Sequence, residues 1–343
     1  MKNIKYYVIA IFFITIYSCN KDLTVDTSAK ADFELFFEYL KNDYAYRDAH
    51  SFTMEELRNK YLSQIENTNT QAKLASILLN IVKNDIKDPH VWLDSNEPFR
   101  LANVVETNPK ELETKTPIFS EVTVRKNTDF YTSGLITSQP TIGYLYIRNF
   151  NYDIGGTNSL GIEDGIKEID AILQDLIDQN ITSMIVDMRS GAGGTNYVPR
   201  YIAQRFIDKT ATYMIEYYPD GNSFIKKEWK IKPSGTGFRT KKIALLSNGD
   251  TASGGEMFLL AMLQRDNLVH IGSRSSGASG NIVSKDLSNG WNFTITNSRT
   301  EFPDGTQYFK VGIIPEISIK NDANYNLTHS DDKLIEKAIE KLQ

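Results

Sequence analysis

Ser247-Asn248-Gly249-Asp250-Thr251-Ala252-Ser253-Gly254-Gly255-Glu256-Met257-Phe258 joins an apolar, strand-like run (Ile243 to Leu246) to an apolar helical run (Met257 to Leu263). A hydroxyl at Ser253 stands on a sharp strand-to-helix turn. The first N–H groups of a helix lack intrahelical partners and carry the positive end of its dipole, which suits a developing oxyanion. The same residues admit a plainer role, with Thr251 or Ser253 doing no more than capping the helix.

The pattern on either side decides the fold class. Ile142 to Ile147 is a buried-strand candidate and Ile162 to Ile177 an amphipathic helix; Ser183 to Met188 and Val198 to Phe206 repeat the pair. Strand and helix in alternation predict an α/β layer with crossover connections. Before it, Ala31 to Ile86 reads as helical, with Phe33, Phe36, Phe37 and Leu40 on one face, and Phe99 to Pro140 is irregular and strand-like. After it come Val269 to Gly272, an aromatic-rich strand pair around Trp291 to Thr296, and a terminal helix that Ser330 or Asp331 would cap.

The chain has 343 residues, 41% of them hydrophobic and 24% charged, enough for one large domain and a smaller one. Its net charge of -5 and the lack of a basic stripe argue against nucleic acid as a partner. Four histidines and one cysteine, scattered, give no zinc spacing, so no metal or cofactor is expected. The N-terminus reads as processing sequence: Lys2 and Lys5 precede an apolar stretch that begins at Tyr6 and is too short to span a bilayer. It ends at Ile16-Tyr17-Ser18-Cys19, which resembles a lipobox, with Cys19 as the lipidated residue. We therefore expect a leader over 1–19, a tether over 20–30, a helical domain over 31–95 and a core domain over 96–343. The protein would be held at the bacterial cell envelope by its lipid, on the periplasmic or outer-membrane face.

Two further motifs carry chemistry. Asp187-Met188-Arg189-Ser190-Gly191-Ala192-Gly193-Gly194 follows a strand, and glycines there let backbone N–H groups approach a ligand closely. It lacks the Lys-Ser/Thr of a P-loop, so beside a serine its better use is a second oxyanion donor; a tight turn alone is the other use. Ile86-Lys87-Asp88-Pro89-His90 supplies a histidine, the side chain suited to taking a serine's proton near neutral pH.

These segments, in their order along the chain, resemble the tail-specific, or C-terminal processing, serine protease family. A strand from Gly143 to Phe150 comes first, then Asp187-x-Arg189 with Gly193-Gly194, then Asn248-x-x-Thr251-Ala252-Ser253-x-x-Glu256-x-Phe258, and finally Gly312-Ile313-Ile314-Pro315. The resemblance covers roughly Phe33 to Leu342. It implies a crotonase/Clp-like α/β core of ββα-type repeats, preceded by a small helical domain. It also implies Ser253 as nucleophile, and backbone N–H groups of Gly193, Gly194 and Gly254 as the oxyanion hole. Ala278 stands where one branch places a catalytic lysine, whereas Asp88-Pro89-His90 matches the Asp-x-His of the tricorn-like branch, which makes His90 the general base.

Two departures accompany the match. No carboxylate lies in Tyr308-Phe309-Lys310-Val311, where that branch has a glutamate, leaving Glu301, Asp304, Glu316 or none as third member. Between Leu93 and Gly143 there is no room for a PDZ domain. The expected function is a lipid-anchored serine peptidase acting on peptides or unfolded proteins. The alternatives are a catalytically degraded peptide-binding lipoprotein and, last, a crotonase-type acyl-thioester enzyme.

Overall fold

A computed structural model of the protein describes residues 28–67, 69–94, 119–150, 162–191, 193–194, 197–319 and 332–343. The expected leader, Cys19, most of the tether, and half of the stretch with no room for a PDZ domain lie outside the described residues.

Three helices come first, α1 (Ala29–Asn42), α2 (Met54–Asn67) and α3 (Gln71–Asn80), the last continued by a π-helical turn, Ile81–Ile86. Strand β1 (Leu93–Asp94) is followed by β2 (Val122–Asn127), β3 (Tyr131–Ile136), β4 (Gln139–Ile147), α4 (Ile162–Asp178), β5 (Ser183–Asp187) and α5 (Val198–Ala203). A long hairpin, β6 (Ala211–Asp220) and β7 (Ser223–Ile231), precedes β8 (Lys242–Ser247), α6 (Gly254–Met262) and β9 (Leu268–Gly272). The chain closes with β10 (Ile282–Asp286), β11 (Asn292–Thr296), β12 (Arg299–Glu301), β13 (Ile317–Ser318) and α7 (Lys333–Leu342).

The central sheet has seven strands in the order β13-β9-β8-β5-β4-β3-β2. Its middle strands β4, β5, β8 and β9 are parallel, as crossovers through α4, α5 and α6 require. Both faces are covered, which is why these strands read as unbroken apolar runs. Leu145, Ile147, Met184, Val186, Ile243 and Leu245 point into one core with α4 and α6. Tyr144, Tyr146, Ile185, Ala244 and Leu246 point the other way, onto Leu334, Ile335, Ala338 and Leu342 of α7. An α/β core behind a helical N-terminal region is the architecture the sequence predicts.

Two boundaries differ from expectation. Helix α1 begins at Ala29 because the Ser28 hydroxyl accepts the Ala31 N–H, so the tether gives up its last two residues to the helix. Helix α7 is capped by Asp332, which accepts from the N–H groups of Leu334 and Ile335, rather than by Ser330 or Asp331. A buried ion pair selects that position. Arg189 is enclosed between Asp187 (2.7 Å) and Asp332 (2.8 Å), and Tyr144 donates to Asp187.

The helical region does not bury its apolar face unaided. Phe33, Phe36, Leu40, Leu74 and Leu78 pack with Leu287, Trp291, Phe293 and Ile295 from the far end of the chain. Phe293 and Ile295 belong to the small sheet β1-β11-β10 and Leu287 and Trp291 to its β10–β11 turn, where Asp32 of α1 accepts both the N–H and the hydroxyl of Ser288.

Candidate active site

The carboxyl ends of neighbouring parallel strands β5 and β8 carry the two glycine-bearing loops, the place where open α/β sheets bind ligands. Hydrogen bonds stitch the loops together. Asn248 Oδ1 accepts the Ser190 N–H at 2.9 Å, and the Thr251 hydroxyl donates to the Met188 carbonyl at 2.8 Å. Thr251 is thus spent on joining the loops and leaves the helix cap to Ser253.

Ser253 is the N-cap of α6 and is held at φ 51°, ψ -113°, a region that residues with a Cβ rarely adopt. Gly193 lies against it so closely that a Cβ there would stand 2.7 Å from Ser253 Cβ and 3.0 Å from Oγ. A Cβ on Gly254 would stand 3.1 Å from the Gly194 nitrogen. The half-buried serine and the three glycines expected to serve it therefore form one cluster.

Glu256 fixes this elbow from behind. Its fully buried carboxylate accepts the Ser253 N–H at 3.0 Å, the Ser275 hydroxyl at 2.6 Å and the Gly277 N–H at 2.7 Å. Burial pushes its pKa up to about 7, against the pull of these donors and the Ala278 N–H. The Ser-x-x-Glu spacing of a capping box is the sequence signal that points to such a carboxylate.

His90 comes from the other core. Lys87 in a left-handed conformation ends the π-helical turn, and Asp88 then accepts the His90 N–H at 2.8 Å in an Asx-turn. The turn is pinned to β11, where Thr296 donates to Asp88 and Thr294 to the His90 carbonyl, both at 2.7 Å. The ring is buried and its Nδ1 has no hydrogen-bond partner among the described residues. Burial lowers its pKa, against the opposing pull of the Asp88 charge.

Glu256, bonded to the Ser253 N–H, also holds the Gly277 N–H, and so ties the serine to the turn that carries Ala278 and Ser279. Among the described residues no hydrogen bond joins the Ser253 hydroxyl to His90. Of the candidate third members, Glu301 accepts from Gln307, Asp304 sits in a turn with Thr306, and Glu316 is exposed. None of the three hydrogen-bonds His90 among the described residues. Ala278 is buried within the same turn.

The sequence model of peptidase family S41 matches residues 141–319. The chain is 26% identical over 181 residues to the carboxyl-terminal-processing peptidase 2, chloroplastic, of Arabidopsis thaliana, covering 52% of this chain and 32% of that one. It is also 26% identical over 155 residues to the carboxy-terminal processing protease CtpA of Bacillus subtilis, covering 45% of this chain and 32% of that one. The matched stretch is thus about a third of the length of these curated relatives. Among solved structures, a candidate peptidase from Parabacteroides merdae shares the fold, with a TM-score of 0.76 at 20% identity over 92% of this chain and 97% of that one. The tricorn protease shares it at a TM-score of 0.53 and 14% identity, covering 92% of this chain and 37% of that one.

Proposed function

The chain belongs to peptidase family S41, and from that premise we propose that Ser253 hydrolyses peptide bonds through an acyl-enzyme, with His90 as its general base. Ser253 Oγ attacks the scissile carbonyl as its proton passes to the imidazole. The N–H groups of Gly193, Gly194 and Gly254 take the negative charge that develops on the carbonyl oxygen. The imidazolium then protonates the leaving amine, and water, deprotonated by the same ring, releases the acid. The substrates are peptides or unfolded proteins, and a lipid on Cys19 would hold the enzyme at the cell envelope.

The observation that supports this reading best is the contact of Gly193 with Ser253. A backbone brought so near that even a Cβ is excluded is arranged to present N–H groups where an oxyanion forms. The test is labelling of the soluble portion by a fluorophosphonate. The wild type should label, and Ser253→Ala and His90→Ala should not; equal labelling of all three would sink the assignment. Labelled palmitate incorporated by the full chain and lost in Cys19→Ala would support the anchor.

A second reading, a peptide-binding protein whose chemistry has decayed, draws on the lack of a Ser253–His90 hydrogen bond among the described residues. A folded wild type that binds peptides and takes no fluorophosphonate would favour it.

A further inference from the structure

We propose that Lys310 positions His90 against Ser253, strapping the turn to which the serine is tied onto the helix end that leads to the histidine. This rests on Ser253 and His90 being the nucleophile and base of the proposed reaction. Lys310 takes no part in the proton transfer.

This one residue reaches both sides. Its backbone N–H donates to the Gly277 carbonyl at 2.9 Å, and its ammonium donates to the Ile86 carbonyl at 2.7 Å. Gly277 is held through its own N–H by Glu256, which also accepts the Ser253 N–H. Ile86 is the last residue of the π-helical turn, and its carbonyl is one that a helix end leaves without a partner inside the helix. The carbonyl end also carries the negative pole, which suits a lysine. His90 follows four residues later. Consecutive hydrogen bonds thus run from Ser253 through Glu256, Gly277 and Lys310 to the segment that carries the base.

The strap is anchored firmly. Lys310 stands at φ 60°, in the left-handed region that residues with a Cβ seldom take. A Cβ on Gly277 would stand 2.8 Å from the Lys310 nitrogen, and one on Gly312 would stand 2.1 Å from the Ser275 carbonyl oxygen. The two loops therefore lie backbone against backbone. Ser275 and Ile313 bond twice across them, N–H to carbonyl at 3.1 Å and hydroxyl oxygen to N–H at 2.7 Å. Next to the lysine, Phe309 is stacked flat on Tyr46, ring centroids 3.6 Å apart. Tyr46 donates to Ser279 at 2.6 Å, in a buried cluster of hydroxyls with Thr300 and Tyr308. That second tie between the same two regions should keep the protein folded when the lysine is lost. Thr294 and Thr296 settle the His90 turn on β11; Lys310 settles it against the serine's turn.

Lys310→Met keeps the stem and loses the donor. It should lower the maximal rate of fluorophosphonate labelling about 10- to 100-fold, the scale of a base displaced by about an ångström, with the half-saturating probe concentration unchanged. Amide hydrogen exchange over residues 86–91 should quicken while the circular dichroism spectrum stays that of the wild type. Lys310→Arg keeps a donor and should recover most of the rate. Lys310→Gly, whose backbone accepts φ 60° freely, should be as slow as Lys310→Met. Lys285→Met, which removes an ion pair to Asp43 elsewhere on the helical region, should change neither rate nor exchange. Rate and exchange unmoved in Lys310→Met, a Lys310→Gly that labels like the wild type, or equal losses in Lys285→Met would each overturn the proposal. A wild type that does not label, with exchange over 86–91 that still follows Lys310, would sink the peptidase assignment alone and leave Lys310 holding the turn.

Discussion

Glu256 Oε2 accepts the backbone N–H of Ser253 at 3.0 Å, and that bond stabilises a conformation the serine would not adopt unaided. In Glu256→Gln one oxygen becomes an NH₂ facing another donor, leaving a buried polar group without a partner at a cost of about 1–3 kcal/mol. We expect the serine to shift and fluorophosphonate labelling to slow by up to about 10²-fold, with the wild-type circular dichroism spectrum retained.

Gly193 and Gly249 make a matched pair for alanine substitution. A Cβ at Gly193 meets Ser253, whereas one at Gly249 meets nothing within 4 Å. Gly193→Ala should therefore reduce turnover about 10²–10³-fold, the scale of one lost oxyanion donor, for a stability cost of about 1–3 kcal/mol. Gly249→Ala should change neither. Comparable losses in the two variants, read as labelling rate and melting temperature, would remove Gly193 from the oxyanion hole.

Two buried groups give stability opposite slopes with pH. His270, bonded to Ser247 at 2.7 Å, has its pKa lowered by burial from 6.5 to about 4. Its contribution is complete above pH 6.5 and is lost as pH falls towards 4, by about 3 kcal/mol. Glu256 is raised by burial from 4.5 to about 7, so its contribution is complete below 4.5 and is lost as pH rises through 7, again by about 3 kcal/mol. The wild type should show a shallow dependence between these limits. Relative to wild type, His270→Gln should gain stability as pH falls from 6.5 to 4, and Glu256→Gln as pH rises from 4.5 to 7, in urea unfolding at fixed pH steps. Parallel curves for wild type and variants would contradict both.

Arg189 is enclosed between two carboxylates, so losing it leaves Asp187 and Asp332 facing each other in the core. Arg189→Met should cost about 3–5 kcal/mol in urea unfolding. Arg189→Met combined with Asp332→Asn should recover part of that loss. No recovery would mean that the carboxylate left behind is not the source of the instability.

The core was legible because strands buried on both faces leave apolar runs, and crossover helices leave a 3.6-residue rhythm between them. The Ser253 elbow was legible for a local reason: strand, small residues and helix follow one another within twelve positions. The contacts that hold the site in place were not, because they join residues far apart in sequence. Arg189 to Asp332 spans 143 positions and Tyr46 to Ser279 spans 233. Nothing in the spacing of hydroxyl residues tells a buried cluster from surface serines and tyrosines. The cap at Asp332 was displaced for the same reason, since a distant arginine selects among three neighbouring polar residues.

The bond from Ser288 to Asp32 spans 256 residues, and the aromatic face of α1 waits for Trp291 and Phe293 to cover it. A chain made from its N-terminus cannot finish its first core until nearly all of it has emerged, and such long-range closure is slow. The sheet that carries Ser253 closes later still, since α7 (Lys333–Leu342) covers its second face. An unfinished chain, itself an unfolded polypeptide, thus carries neither half of the site on a completed core.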